Sequence, residues 1–125
     1  MQRFITEEEF DAGLLSHEHA NSEVLEKLRE LDVTADSELI LDFAFITDTK
    51  DKAQELSQEL KNLGIENAVD YLEDSEVYEI YGKSYPVRMD QDSVNEWSKE
   101  MYKTGYRFDC LFDGWGTSPD PGFQN

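Results

Sequence analysis

Leu39-Ile40-Leu41-Asp42-Phe43-Ala44-Phe45-Ile46 is a nearly continuous apolar run that alternates at period two. Leu41, Phe43 and Phe45 share one face, while Ile40, Ala44 and Ile46 share the other, which Asp42 interrupts. A strand apolar on both sides belongs in the middle of a sheet. Helices are expected to cover one side, and the N-terminal segment to cover part of the other.

Outward from this strand, Thr47-Asp48-Thr49 offers helix caps, and Ala53, Leu56, Leu60 and Leu63 recur at spacings of three and four before Gly64 supplies a stop. Ala68, Val69, Tyr71 and Leu72, then Val77, Tyr78, Ile80 and Tyr81, read as a long or broken second strand, irregular between Glu73 and Ser75. Gly82-Lys83 is the preferred hairpin turn, leading to a third strand with Tyr85, Val87 and Met89; the alternative turn is Asp74-Ser75, with 76–81 already in the third strand. Pro86 argues for an edge position, a strand start or a bulge. Asp90 or Asp92 caps the last helix, whose stripe is Val94, Trp97, Met101 and Tyr102 and whose end is set by Gly105. Tyr106, Phe108, Cys110 and Phe112 then alternate as a final strand, which Gly114 and Gly116 stop on either side of an anchoring Trp115.

At the other end, Thr6 and Glu9 make a capping box, with Ile5 and Phe10 as its staple. A short helix over 7–16 and a second one capped by Asn21 or Ser22, with Val24, Leu25, Leu28 and Leu31 inward, fit the pattern. So does one longer helix bent between His17 and Asn21. The order after residue 38 is strand, helix, strand, strand, helix, strand. That predicts an α+β, ferredoxin-like βαββαβ sandwich: a four-stranded antiparallel sheet with two helices on one face, preceded by an N-terminal helical segment. The expected organisation is a single domain over 1–125, with a helical extension (1–36), a core (38–117) and an irregular tail (118–125) that holds two prolines and a glycine.

Acidic residues number 29 against 11 basic ones in 125, a formal charge of -18. Such a surface opposes binding to nucleic acid or anionic membranes, favours a monomer or weak dimer, and complements a basic protein. A single cysteine, Cys110, no apolar leader and no membrane-length run point to the reducing cytoplasm.

Reactive constellations are sparse. His17 and His19 lie two apart, a spacing that does not put them together on one helix face, and they read as exposed solvating residues. Cys110 falls on an inward strand position beside Asp109, which disfavours the thiolate. Asp42 and Asp109 would interact only if they faced each other across neighbouring strands. Asp113 reads as a cap for the turn around Gly114 to Gly116. There is no phosphate-binding glycine loop and no nucleophile elbow. The chain is therefore read as non-catalytic, with no metal and no cofactor.

Phe108-Asp109, followed after two residues by Phe112-Asp113-Gly114-Trp115-Gly116-Thr117, resembles the closing motif of the regulator of ribonuclease E activity B family. The resemblance implies the same ferredoxin-like topology and an inhibitor of endoribonuclease E. Members bind the basic scaffold region of that enzyme and restrain RNA cleavage. Familiar members carry a longer acidic tail, which this sequence lacks. Tyr106, Asp109, Asp113, Gly114, Trp115 and Gly116 are the candidate partner-binding or structural residues. The rival readings are an immunity or anti-nuclease protein that neutralises another basic protein, and a small hydrolase.

Overall fold

The capping box at Thr6 forms: the Glu9 N–H donates to its hydroxyl (3.1 Å), and its own N–H donates to the Glu9 carboxylate (3.2 Å). From this cap one unbroken helix, α1 (Glu7–Glu30), extends through the stretch where a bend or second start was expected. The computed structural model of the protein describes residues 4–117, so the tail expected at 118–125 lies outside the described residues. The inward stripe of α1 continues through His17 and Asn21 to Leu25 and Leu28. Two polar members hide that continuity from a reading based on apolar spacing.

The remaining elements follow as β1 (Glu38–Thr47), α2 (Lys50–Asn62), β2 (Asn67–Leu72), β3 (Val77–Arg88), α3 (Gln91–Arg107) and β4 (Leu111–Gly116). The sheet is antiparallel, in the order β2-β3-β1-β4, which is the expected split βαβ arrangement with β1 and β3 central. Leu41, Phe43 and Phe45 of β1 meet Ala53, Leu56 and Leu60 of α2 and Val94, Trp97 and Met101 of α3 in one core. Phe112 of β4 lies at its centre, in ring contact with Phe45, Trp97 and Tyr102 at 5.2, 5.9 and 5.1 Å.

Four expectations need correction. The hairpin between the second and third strands turns at 73–76, close to the alternative reading, with the Glu76 N–H donating to Leu72 O at 2.8 Å and Glu76 at φ 55°. Gly82 lies inside β3 instead. A Cβ there would stand 2.3 Å from the carbonyl oxygen of Glu66, so close passage of the chain entering β2 requires the glycine. Secondly, α3 persists through Tyr106 and Arg107, and β4 begins only at Leu111. Gly105 lies within the last turn of α3, where a Cβ would meet Cys110 O at 2.7 Å and the Phe45 ring at 2.9 Å. Thirdly, β4 continues through Gly114 and Trp115 and ends only at Gly116. Asp113 is the extra residue of a bulge, since Phe45 pairs with Phe112 and Ala44 with Gly114. Finally, α1 packs against α3, and no described helix covers the far side of β1.

Pro86 also finds its explanation. The ladder of β2 with β3 ends at Gly82, so Pro86 lies where β3 has a neighbour only in β1. It directly follows a bulge in which Ser84 and Tyr85 together oppose Leu41. The Ser84 hydroxyl accepts the Leu41 N–H at 2.9 Å, which replaces the ladder bond lost there.

The two glycines around Trp115 separate conformation from space. A Cβ would meet nothing within 4 Å at either, but Gly114 alone has a positive φ, of 116°. Gly114→Ala is therefore expected to destabilise by about 1–3 kcal/mol, and Gly116→Ala by no more than about 0.5 kcal/mol, in urea unfolding.

Candidate interaction surface

Burial decides first which groups are available for chemistry. Cys110 is fully buried, and burial above all pushes its thiol up to about 12, so it has no thiolate to offer near neutrality. His17, expected outside, is buried against Tyr102 at 5.7 Å, with Nδ1 2.8 Å from Leu14 O. His19 is exposed beside Glu23 at 3.2 Å. Asp42 pairs across the sheet with Lys83 and Gly116 and does not face Asp109. No group of three or more His, Cys, Asp or Glu suited to a metal occurs among the described residues.

Two of the clefts lie beside α3. The one between α1, α3 and β4, lined by His17, Asn21, Ser98, Tyr102 and Trp115, holds about 150 Å³. That is below the roughly 300–1,000 Å³ of small-molecule sites. A wider groove of about 470 Å³ runs between the end of β3 and α3, over Tyr85 and Trp97 and past Glu38, Asp92, Glu96 and Glu100. Its walls also carry Arg88 and Ser93, whose hydroxyl donates to Asp90 Oδ1 at 2.8 Å as part of the cap of α3.

The six residues singled out from the closing motif do not gather into one surface site. Tyr106, in the last turn of α3, stacks on Phe10 of α1 with ring centroids 4.3 Å apart. Asp109 is buried in the α3–β4 turn at φ 59°, a left-handed conformation that Asp adopts more readily than most residues. Its carboxylate accepts the N–H groups of Phe4 (2.7 Å) and Ile5 (3.0 Å) and pairs with Lys52 of α2. Asp113 is exposed in the β4 bulge, where the backbone itself makes the irregularity it was expected to cap. Trp115, half-buried opposite Phe43, donates its indole N–H to Asn21 Oδ1 at 2.8 Å and meets Trp97 edge-on at 6.3 Å. Gly114 and Gly116 lie on the side of the sheet that faces away from the helices, Gly114 opposite Ala44 and Gly116 opposite Asp42.

These contacts share one result: they fasten α1 to the outside of α3. Asp109 and Tyr106 hold its start. Trp115 holds its middle through Asn21, which also donates to Asn95 Oδ1 and Ser98 Oγ, each at 2.9 Å. Arg29 holds its end by donating to the carbonyl oxygens of Met89 and Val33. Sequence reading gave Asn21 only as a helix cap and missed Ser98 and Arg29, because single polar residues on helices carry no local signal of a distant partner. Among the described residues, no helix lies over the far side of the sheet. Ile40, Ala44 and Ile46 are half-buried there, and Tyr81 of β3 is 42% exposed.

Burial pushes the Asp109 carboxyl up, but Lys52 and the two backbone N–H donors outweigh it and hold the group below its ordinary value of 3.8. A carboxyl that is a stronger acid when folded stabilises fully above its unfolded value, and that contribution is lost as pH falls through the folded value. Asp109→Asn keeps the backbone conformation and removes the charge. It is expected to cost about 1.5–3 kcal/mol at pH 7. The gap from wild type should narrow once pH drops below about 4 in acid unfolding series. Trp115→Phe leaves the Asn21 carbonyl oxygen without its donor and is expected to cost about 1–3 kcal/mol in thermal or urea unfolding.

No curated protein matches the chain. The family described as regulator of ribonuclease activity B matches residues 18–117, which begin within α1 and end just past β4. That span is most of the chain and contains the closing motif entire, so this protein belongs to the regulator of ribonuclease activity B family.

Proposed function

We propose that this protein is a non-catalytic, cytoplasmic regulator that binds endoribonuclease E through that enzyme's basic scaffold region and slows its cleavage of RNA. Membership of a ribonuclease-regulator family carries the reading. The charge of -18 supports a basic protein partner over RNA itself, whose phosphates it would repel. The buried, high-pKa Cys110 and the separation of His17 from His19 support regulation by contact and not by chemistry. Helices of the described residues are too short or too polar to cross a membrane, which accords with a partner met in solution.

The test is binding and RNA cleavage measured in the same samples, with the organism's ribonuclease E full-length and without its scaffold arm. Binding should require the arm, slow the cleavage, and weaken as ionic strength rises through the physiological range. Unchanged cleavage and no binding at physiological salt would overturn the reading.

A further inference from the structure

The far side of the sheet has a pattern that the strand register makes explicit. Ala68, Tyr81, Ala44 and Gly114 form one row across all four strands. Asp70, Glu79, Ile46 and Leu111 form the next. In these two rows the β1–β4 half is thus apolar or small, while the β2–β3 half carries the carboxylates of Asp70 and Glu79 and the exposed Tyr81 ring; Asp42 of β1 lies in the row beyond. Lys83 is occupied by Asp42 at 2.9 Å, whereas Asp70 and Glu79 form no ion pair among the described residues. Half-buried Ile40, Ile46 and Leu111 have no described helix over them, because the helix expected there is fastened to α3.

We propose that this open sheet face is the docking surface for a basic, amphipathic segment of the ribonuclease partner. Its apolar side chains lie along Ile46, Ala44 and Leu111, and its Lys or Arg side chains lie against Asp70 and Glu79. The inference rests on the regulator reading above and adds the surface and the chemistry that fits it. A second copy of this chain is a poor occupant, since two molecules of charge -18 repel and would bring Asp70 and Glu79 onto further carboxylates. RNA is a poorer one, since among the described residues the face has no unpaired cation. Small residues at 44, 68 and 114 let a backbone approach closely, and Tyr81 offers an aromatic face to a guanidinium or ammonium group.

The experiment measures binding of the full chain to the organism's purified full-length ribonuclease E. Wild type is compared with Asp70→Lys/Glu79→Lys, with Tyr81→Ala, and with Glu96→Lys/Glu100→Lys in the α3 groove, after unfolding curves confirm that each variant folds. Both double variants change the net charge equally, so long-range attraction is matched between them. Asp70→Lys/Glu79→Lys is expected to raise Kd at least about tenfold and Tyr81→Ala about fivefold, with the groove variant within about twofold of wild type. Equal weakening by the two double variants, or weakening by the groove variant alone, would overturn the docking surface and leave the regulator reading standing. Absence of wild-type binding would overturn both. A wild-type dimer dissolved by Tyr81→Ala would assign the face to a second copy and overturn the proposal.

Discussion

The carboxylate of Asp109 is the tie on which the arrangement of the helices depends. It receives two backbone N–H groups from the chain just before α1 and the ammonium of Lys52 from the first turn of α2. Its own carbonyl oxygen accepts the Thr47 hydroxyl at the end of β1, at 2.9 Å. One residue in a left-handed turn therefore joins the N-terminal segment, the first strand, the second helix and the α3–β4 connection. A buried carboxylate is costly unless its oxygens are hydrogen-bonded and its charge is met, and here both conditions hold. Lys52 shares the arrangement: burial works against its charge, but Asp109 and Asp48 prevail and hold its pKa above the ordinary 10.5.

The direction in which α1 leaves this tie determines what the molecule presents to others. Held at its start by Asp109, in its middle by Trp115 through Asn21, and at its end by Arg29, α1 lies along α3. Of the residues that read most readily as a binding motif, Asp109 is spent inside the fold and Tyr106 and Trp115 on contacts with α1, while Asp113 and Gly116 stay exposed. The same contacts leave the far face of β1 and β3 without a helix among the described residues, so internal fastening and external availability are two sides of one arrangement.

Much of the fold was legible because it rests on local rules. The period of β1, the spacing in α2, the Thr6 and Asp90 caps and Gly64 after α2 each declare themselves within a few residues. Errors arose where a distant neighbour sets the choice. Gly82 looks like a turn residue but is required by the passing Glu66 backbone, while the true turn uses Glu76 in a conformation that glycine usually supplies. Tyr106 to Cys110 alternate as a strand would, yet Tyr106 and Arg107 close a helix because Gly105 can lie against Phe45 and Cys110. For the site, the residues of the closing motif could be singled out, but not their orientation. Whether Trp115 points its N–H outward or into Asn21 is decided by a helix more than ninety positions earlier in the chain.

The bulge and proline near the end of β3 have a consequence for how this sheet meets other chains. Past Gly82 the strand runs on without β2, which exposes backbone groups that a foreign strand could join. Ser84 and Tyr85 break the regular spacing of donors and acceptors there, and Pro86 removes one N–H altogether. At the opposite margin, β4 carries its own irregularity at Asp113 and Gly114. Sheet extension from β4 and from the end of β3 is thereby discouraged, even where hydrogen-bonding groups are left over.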